Sequence, residues 1–206
     1  PIPEEAWAEI DAQATRSLKA MLSGRRVLDV SGPMGTDFPG VPEGRLNYPK
    51  KQAKDGLKYG IRKVHHIVEV RVPFELDISE MDNVVRGAKD VDLSGLEDAA
   101  RETALFEERV IYHGLAEANI TGLKLCVGDE CLSMGSQPEE LLEGITHGIT
   151  SFSSRSIEGP YSFIVGPQLW SKMSAHVQGY PIKMQAETIL GGPGLLADTG
   201  RFEMRL

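Results

Sequence analysis

Trp7, Ile10, Ala14, Leu18 and Met21 recur at helical spacing and predict an amphipathic helix over residues 4–22. Pro3 suits the first turn, Glu4 and Glu5 favour a helix N-terminus, and Gly24 stops the run. Residues 25–30 then alternate. Arg26, Leu28 and Val30 fall on one side, Arg25, Val27 and Asp29 on the other, the pattern of a short strand. On such a strand Arg25 and Asp29 stand roughly 13 Å apart, too far to pair with each other. A loop containing Gly32, Pro33 and Gly35 follows.

The stretch 45–76 is unusual. A strand is expected at 45–48, then a polar tip at 49–56 with Lys50, Lys51 and Lys54. Alternation resumes at Leu57, Tyr59 and Ile61. It then changes phase, with Val64, His66, Val68, Val70, Val72, Phe74 and Leu76 all even. A phase change inside a strand predicts a bulge or bend. The run is far longer than the usual five or six residues. It reads as a hairpin that projects from the body, with an edge that needs a partner.

Residues 77–86 predict a short helix with Ser79 and Asp82 in a capping-box pattern. Residues 95–113 predict a long one capped by Ser94 and Glu97, with Leu96, Ala99, Ala100, Thr103, Ala104, Val110 and Ile111 as its apolar set. Residues 123–127 and 130–134 flank Gly128-Asp129, a hairpin turn signal. Ser136 and Glu139 start a helix to about 153, and 161–165 is an apolar strand. Helices follow near 167–177 and 181–190, then a glycine-rich loop, and a last strand at 201–206. The elements together indicate an α+β fold.

Composition narrows the function. The 206 residues hold 22 Lys and Arg against 30 Asp and Glu, a formal charge of −8, which disfavours non-specific nucleic-acid binding. The 22 glycines predict many turns. No apolar run approaches 18 residues, so no membrane span is expected, and no signal peptide is expected either. Two cysteines make no disulfide framework, and a reducing cytosol is the expected compartment. There, Cys126 and Cys131 are favoured as free thiols, although a cross-strand disulfide across the predicted turn is geometrically open.

No catalytic signature is present: no nucleophile elbow, phosphate loop or zinc-protease motif. Glu107, Glu108 and His113 lack the Glu-x-x-His spacing of a di-iron helix and are expected on a solvated or interface face. His65 and His66 are adjacent on a strand and point to opposite faces, so they cannot chelate one ion. No cofactor, metal or catalytic residue is therefore expected.

Several stretches carry a resemblance in their order and spacing. They are Ala6-Trp-Ala-Glu-Ile-Asp11, Gly24-Arg-Arg-Val-Leu-Asp-Val30 with Ser31-Gly-Pro-Met-Gly35, and Tyr59-Gly-Ile-Arg-Lys63. Residues 71–76 with 82–87 follow, then Ala104-Leu-Phe-Glu-Glu-Arg-Val-Ile111, Ile157-Glu-Gly-Pro-Tyr161 and Gly179-Tyr-Pro181. Together they cover nearly the whole chain, which resembles the encapsulins, shell proteins of bacterial and archaeal nanocompartments.

The resemblance implies the tailed-phage major-capsid fold. The N-terminal arm is then 1–24, the extended loop 45–65, the peripheral domain 25–44 with 66–122, including a long spine helix, and the axial domain 123–206. It also implies that the family's closing peripheral strands follow Thr199 and are missing here. The implied function is a self-assembling icosahedral shell, a large homo-oligomer in the cytoplasm. It encloses a cargo such as a dye-decolourising peroxidase or a ferritin-like protein through a short targeting peptide. Carried over, the cargo groove falls on Trp7, Ile10, Leu18, Arg25 and Asp29, and the fivefold pore loop on His176, Val177, Gln178, Gly179 and Tyr180. A phage capsid protein and a small cytosolic hydrolase are the rival readings. The acidic charge weighs against the first and the missing nucleophile–base motif against the second.

Overall fold

The computed structural model describes residues 2–50, 57–126, 131–132, 134–135, 137–174, 181–192 and 194–197. Helices dominate, and the described strands form three separate two-stranded sheets, an α+β arrangement. Helix α1 spans Glu4–Met21, with Pro3 at its N-cap, Glu4 and Glu5 in its first turn and Lys19 in its last. These charges complement the helix dipole. Ala6 and Ile10 are buried, packed with Met81, Leu93 and Leu96 in one of two hydrophobic clusters.

The expected strand at 25–30 is absent. Gly24–Arg26 instead form a 3-10 turn, in which Arg26 N–H donates to Ser23 O, and Val27 and Leu28 N–H donate to Gly24 O. Those bonds consume the donors that a strand would need. What fixes the turn is Glu108, described below.

Strands β1 (Gly40–Asn47) and β2 (Ile61–His66) pair antiparallel as the projecting hairpin. The register runs Pro42 to Val64 but then Leu46 to Arg62, so the extra residues bulge out of β1, opposite the phase change between Ile61 and Val64. Gly44, with φ +70°, supplies the left-handed conformation inside that bulge. Apart from Gly40, every residue of both strands is exposed. The strand ends at His66, not Leu76. Residues 67–76 pair with no other described strand, and residues 70–74 face α1 and the long helix across a shared depression.

Helix α2 spans Ile78–Val85 and is capped two residues earlier than expected. Asp77 Oδ1 accepts from Ser79 N–H and Oγ, both at 2.8 Å, so Ser79 is a donor to the cap and not the cap itself. Helix α3 spans Ser94–His113 and is about 30 Å long. Its N-cap is Leu93, and Asp92 Oδ1 accepts from Ser94 N–H. Glu97 reaches across to Gln13 of α1 at 2.5 Å and caps nothing.

After α3 the chain makes a tight pair, β3 (Gly114–Leu115) with β4 (Ile120–Thr121), around a turn where Asn119 takes φ 54°. Residues 123–126 do not form the expected hairpin strand. Leu125 N–H donates back to Gly122 O, which curls Leu123–Cys126 into a four-residue helix, α4. The Gly128-Asp129 turn lies outside the described residues.

Helix α5 (Pro138–Ser154) starts one residue later than expected, with Gln137 N–H donating to Glu140 Oε2 at 3.0 Å. Strand β5 (Phe163–Val165), α6 (Pro167–Ser174), α7 (Ile182–Leu190) and β6 (Leu195–Ala197) complete the described chain, β6 pairing parallel to β5. Leu141, Ile145, Val165, Met173, Ile182, Ala186 and Leu190 form the second hydrophobic cluster. The expected strand at 201–206 lies outside the described residues.

Candidate functional site

Helix α3 organises the surface where α1 and the 24–30 stretch meet. Its positions 96, 100, 103, 107 and 111 follow one another at three- and four-residue spacing and so share one face. Two depressions lie along that face. The first, about 490 Å³, is lined by Ala14 and Leu18 of α1, by residues 70–74, and by Leu96, Ala99, Ala100 and Thr103 of α3. The second, about 500 Å³, is lined by Arg25, residues 28–33, and Glu107 and Ile111 of α3.

Two consecutive carboxylates set the second depression. Glu108 is 1% exposed. Its Oε2 accepts from Ser23 Oγ at 2.5 Å and its Oε1 from Gly24 N–H at 2.9 Å. Tyr112 Oη stands 3.4 Å from Ser23 Oγ. A Cβ on Gly24 would come within 2.8 Å of Ile111 Cδ1, so a larger residue there would have to displace the Ile111 side chain. Glu108 thus pins the end of α1 to α3. It does not lie on the solvated or interface face expected of it.

Glu107, about 100° around the helix, faces the rim. Arg25 Nε and Nη2 donate to its two oxygens at 2.5 and 2.7 Å, a fork-to-fork pair. The side chains are 51% and 31% exposed, so the pair contributes at most about 1 kcal/mol. The hydrogen bonds to Glu107 hold the Arg25 guanidinium above its ordinary pKa; desolvation offsets this in part, and the charges of Glu107 and Glu108 add to it. Asp29 lines the same depression, exposed, on the far side of Leu28.

The five expected groove residues therefore part company. Ile10, 5% exposed, belongs to the hydrophobic cluster with α2 and α3. Trp7 is 50% exposed on α1 but lines neither depression. Leu18 lines the first depression, and Arg25 and Asp29 line the second. Sequence reasoning missed Glu108 and Ser23. The signal was present, because the buried ladder Leu96, Ala100, Ala104 continues at four-residue spacing onto Glu108.

The remaining chemistry-bearing residues do not converge. His65 Nε2 approaches Glu43 Oε1 at 3.6 Å, and Lys63 Nζ approaches Glu43 Oε2 at 3.8 Å. Cys126 and Cys131 are exposed free thiols. Among the described residues no group of three His, Cys, Asp or Glu is placed to hold a metal ion, and no helix is long and apolar enough to cross a membrane. The expected pore residues, His176 to Tyr180, lie outside the described residues.

A family model described as encapsulating protein for peroxidase matches residues 1–199. The type 1 encapsulin shell protein of Rhodococcus erythropolis is 35% identical over 193 residues, 93% of this chain and 73% of that protein. The type 1 encapsulin shell protein of Mycobacterium tuberculosis is 34% identical over 193 residues, covering 93% and 72%. That of Brevibacterium linens is 32% identical over 192 residues, covering 93% and 72%.

Proposed function

The chain belongs to the encapsulin family, as a shell protein and not an enzyme, and from that premise we propose that its copies close an icosahedral compartment through the β1–β2 hairpin. The observation that carries this is the hairpin's exposure. Val41, Leu46, Ile61 and Val64 stand in solvent on a two-stranded sheet with no covering layer among the described residues. An isolated two-stranded ribbon is marginal in water, and apolar exposure on this scale marks an interaction surface. Neighbouring copies supply the missing cover.

In this reading the architecture is the tailed-phage capsid type. Residues 1–24 are the arm, 45–65 the extended loop, 25–44 with 66–122 the peripheral domain and 123–206 the axial domain. Helix α3 is the spine. The shell stands in the cytoplasm and holds a cargo protein, a peroxidase or a ferritin-like protein, by a short peptide docked on the α1–α3 surface. Leu18 gives the apolar floor, Asp29 the rim charge, and Arg25 with Glu107 a wall. Trp7 lies beside that surface, and Ile10 sets the seat of α1. The loop 176–180 lines the fivefold pore, where His176 repeats around the axis.

Electron micrographs of the purified chain test the proposal. Closed, uniform particles free of nucleic acid are expected. Particles filled with nucleic acid would support a phage capsid protein instead, and a dispersed monomer would remove the assembly reading.

A further inference from the structure

We infer that one face of the β1–β2 hairpin, the one carrying Leu46, Tyr48, Arg62 and Val64, seats on a second copy of this chain, with Arg62 bound to a carboxylate of that copy; this deepens the assembly reading above and rests on it. The register separates the two faces. Residues directly opposite on an antiparallel pair point to the same side, so Leu46 shares a face with Arg62, and Pro42 with Val64. Residues 62 and 64 are two apart on β2, which joins the two pairs on one face. Tyr48 belongs there too. Its Cε1 stands 3.1 Å from the place a Cβ on Gly60 would take, and Leu46 Cβ stands 3.2 Å from it.

The opposite face carries Val41, Glu43, Ile61, Lys63 and His65. There Glu43 Oε2 lies 3.8 Å from Lys63 Nζ, and Glu43 Oε1 lies 3.6 Å from His65 Nε2, so charge is answered within the subunit. Arg62 makes no hydrogen bond or ion pair with any described residue. Covering the Glu43 face strips water from three ionisable groups that already serve one another. Covering the Arg62 face desolvates one permanent charge in a frame of Leu46, Tyr48 and Val64, and arginine beside an aromatic is the kind of anchor that interfaces favour. An arginine buried without a partner is strongly unfavourable, so the covering surface has to present a carboxylate.

Charge names the owner of that surface. Residues 40–66 hold seven Lys and Arg against two carboxylates, a formal +5 that leaves −13 on the rest of this −8 chain. A second copy is therefore an anionic landing surface for the hairpin. Attraction of this kind speeds encounter and fixes register, and salt weakens it.

The matched variants Arg62→Gln and Lys63→Gln test this. Both remove one positive charge from neighbouring exposed positions, so they change the net charge of the hairpin alike. Particles are counted by mass photometry along a dilution series of each protein. Arg62→Gln is expected to raise the subunit concentration at half-assembly by at least about tenfold, the worth of one charge-assisted hydrogen bond. Lys63→Gln should leave it within about twofold, as for an exposed pair. Arg62→Lys keeps the charge, loses the fork and should fall between the unaltered chain and Arg62→Gln. Equal effects of the two glutamine variants, or no effect of Arg62→Gln, overturn the assignment of the face while assembly stands. An unaltered chain that forms no particles at any concentration overturns the assembly reading and this one with it. A fluorescein-labelled oligothymidylate that the particles retain, and that Arg62→Gln releases without any change in assembly, makes Arg62 a phosphate contact and overturns the carboxylate.

Discussion

Replacing Glu108 tests how the site is held. In Glu108→Ala, Ser23 Oγ–H and Gly24 N–H lose their acceptor inside a packed junction. Each buried donor left without a partner costs about 1–3 kcal/mol, so about 2–6 kcal/mol is expected in total. Glu108→Gln keeps the volume and one acceptor oxygen, and loses one charge-assisted bond, about 1.5–3 kcal/mol. Ser23→Ala removes the bond to Glu108 and the longer contact with Tyr112, and costs about 1 kcal/mol. With a urea slope of about 2 kcal/mol per molar, the three midpoints should fall by about 1–3, 1 and 0.5 M. The assay is urea unfolding of assembled shells at one fixed protein concentration, because assembly adds to apparent stability. The Ser23→Ala/Glu108→Gln double variant should lose clearly less than the sum of its parts, because the two groups share one bond. A Glu108→Ala midpoint within about 0.25 M of the unaltered protein, or strict additivity in the double variant, would refute the clamp.

Gly24→Ala should make the Ile111 side chain give way to the added Cβ; a loss of at most about 1–3 kcal/mol is expected in the same urea assay, with cargo retention falling alongside it. Leu18→Asn should leave closed particles in micrographs but lower the cargo that co-purifies, and unchanged loading would remove Leu18 from the floor. Asp77 has its pKa lowered by the Ser79 backbone hydrogen bond first and its side-chain bond second. A lowered folded-state pKa gives stability that is present above the unfolded carboxylate value, near pH 4, and lost as pH falls through the folded value. Asp77→Ala should therefore destabilise the protein at pH 7 and differ little from the unaltered protein once both are below that folded value, as melting curves across pH would show.

The periodic elements were legible in the sequence because their causes are local. Trp7 to Met21 and Leu96 to Ile111 carry the helical period, and the phase change between Ile61 and Val64 located the irregularity in the hairpin, though the extra residues sit on the opposite strand. Caps were misplaced by one or two residues, since Asp77, Asp92 and Gln137 compete with the nearby serines that also fit the pattern. The failures are tertiary. Arg25 to Val30 alternate like a strand, yet the buried carboxylate of Glu108, 84 residues away from Gly24, draws the backbone into a turn. Leu123 to Cys126 alternate weakly, and the preceding β3–β4 turn curls them into a helix. The same gap hid the site. The resemblance set Arg25 and Asp29 together in one groove, but Glu107 takes up the arginine, a pairing that spacing along residues 25–30 could not reveal.

The most direct test of the account is the solution mass of the chain with and without residues 49–56, measured by sedimentation velocity on the same day in the same buffer. The full chain should sediment as a closed megadalton particle. The deletion, with the hairpin tip removed, should give folded subunits or small oligomers and no closed shell. A full chain that stays at 22.5 kDa, or a deletion that assembles as well as the full chain, contradicts the claim that the hairpin closes the shell.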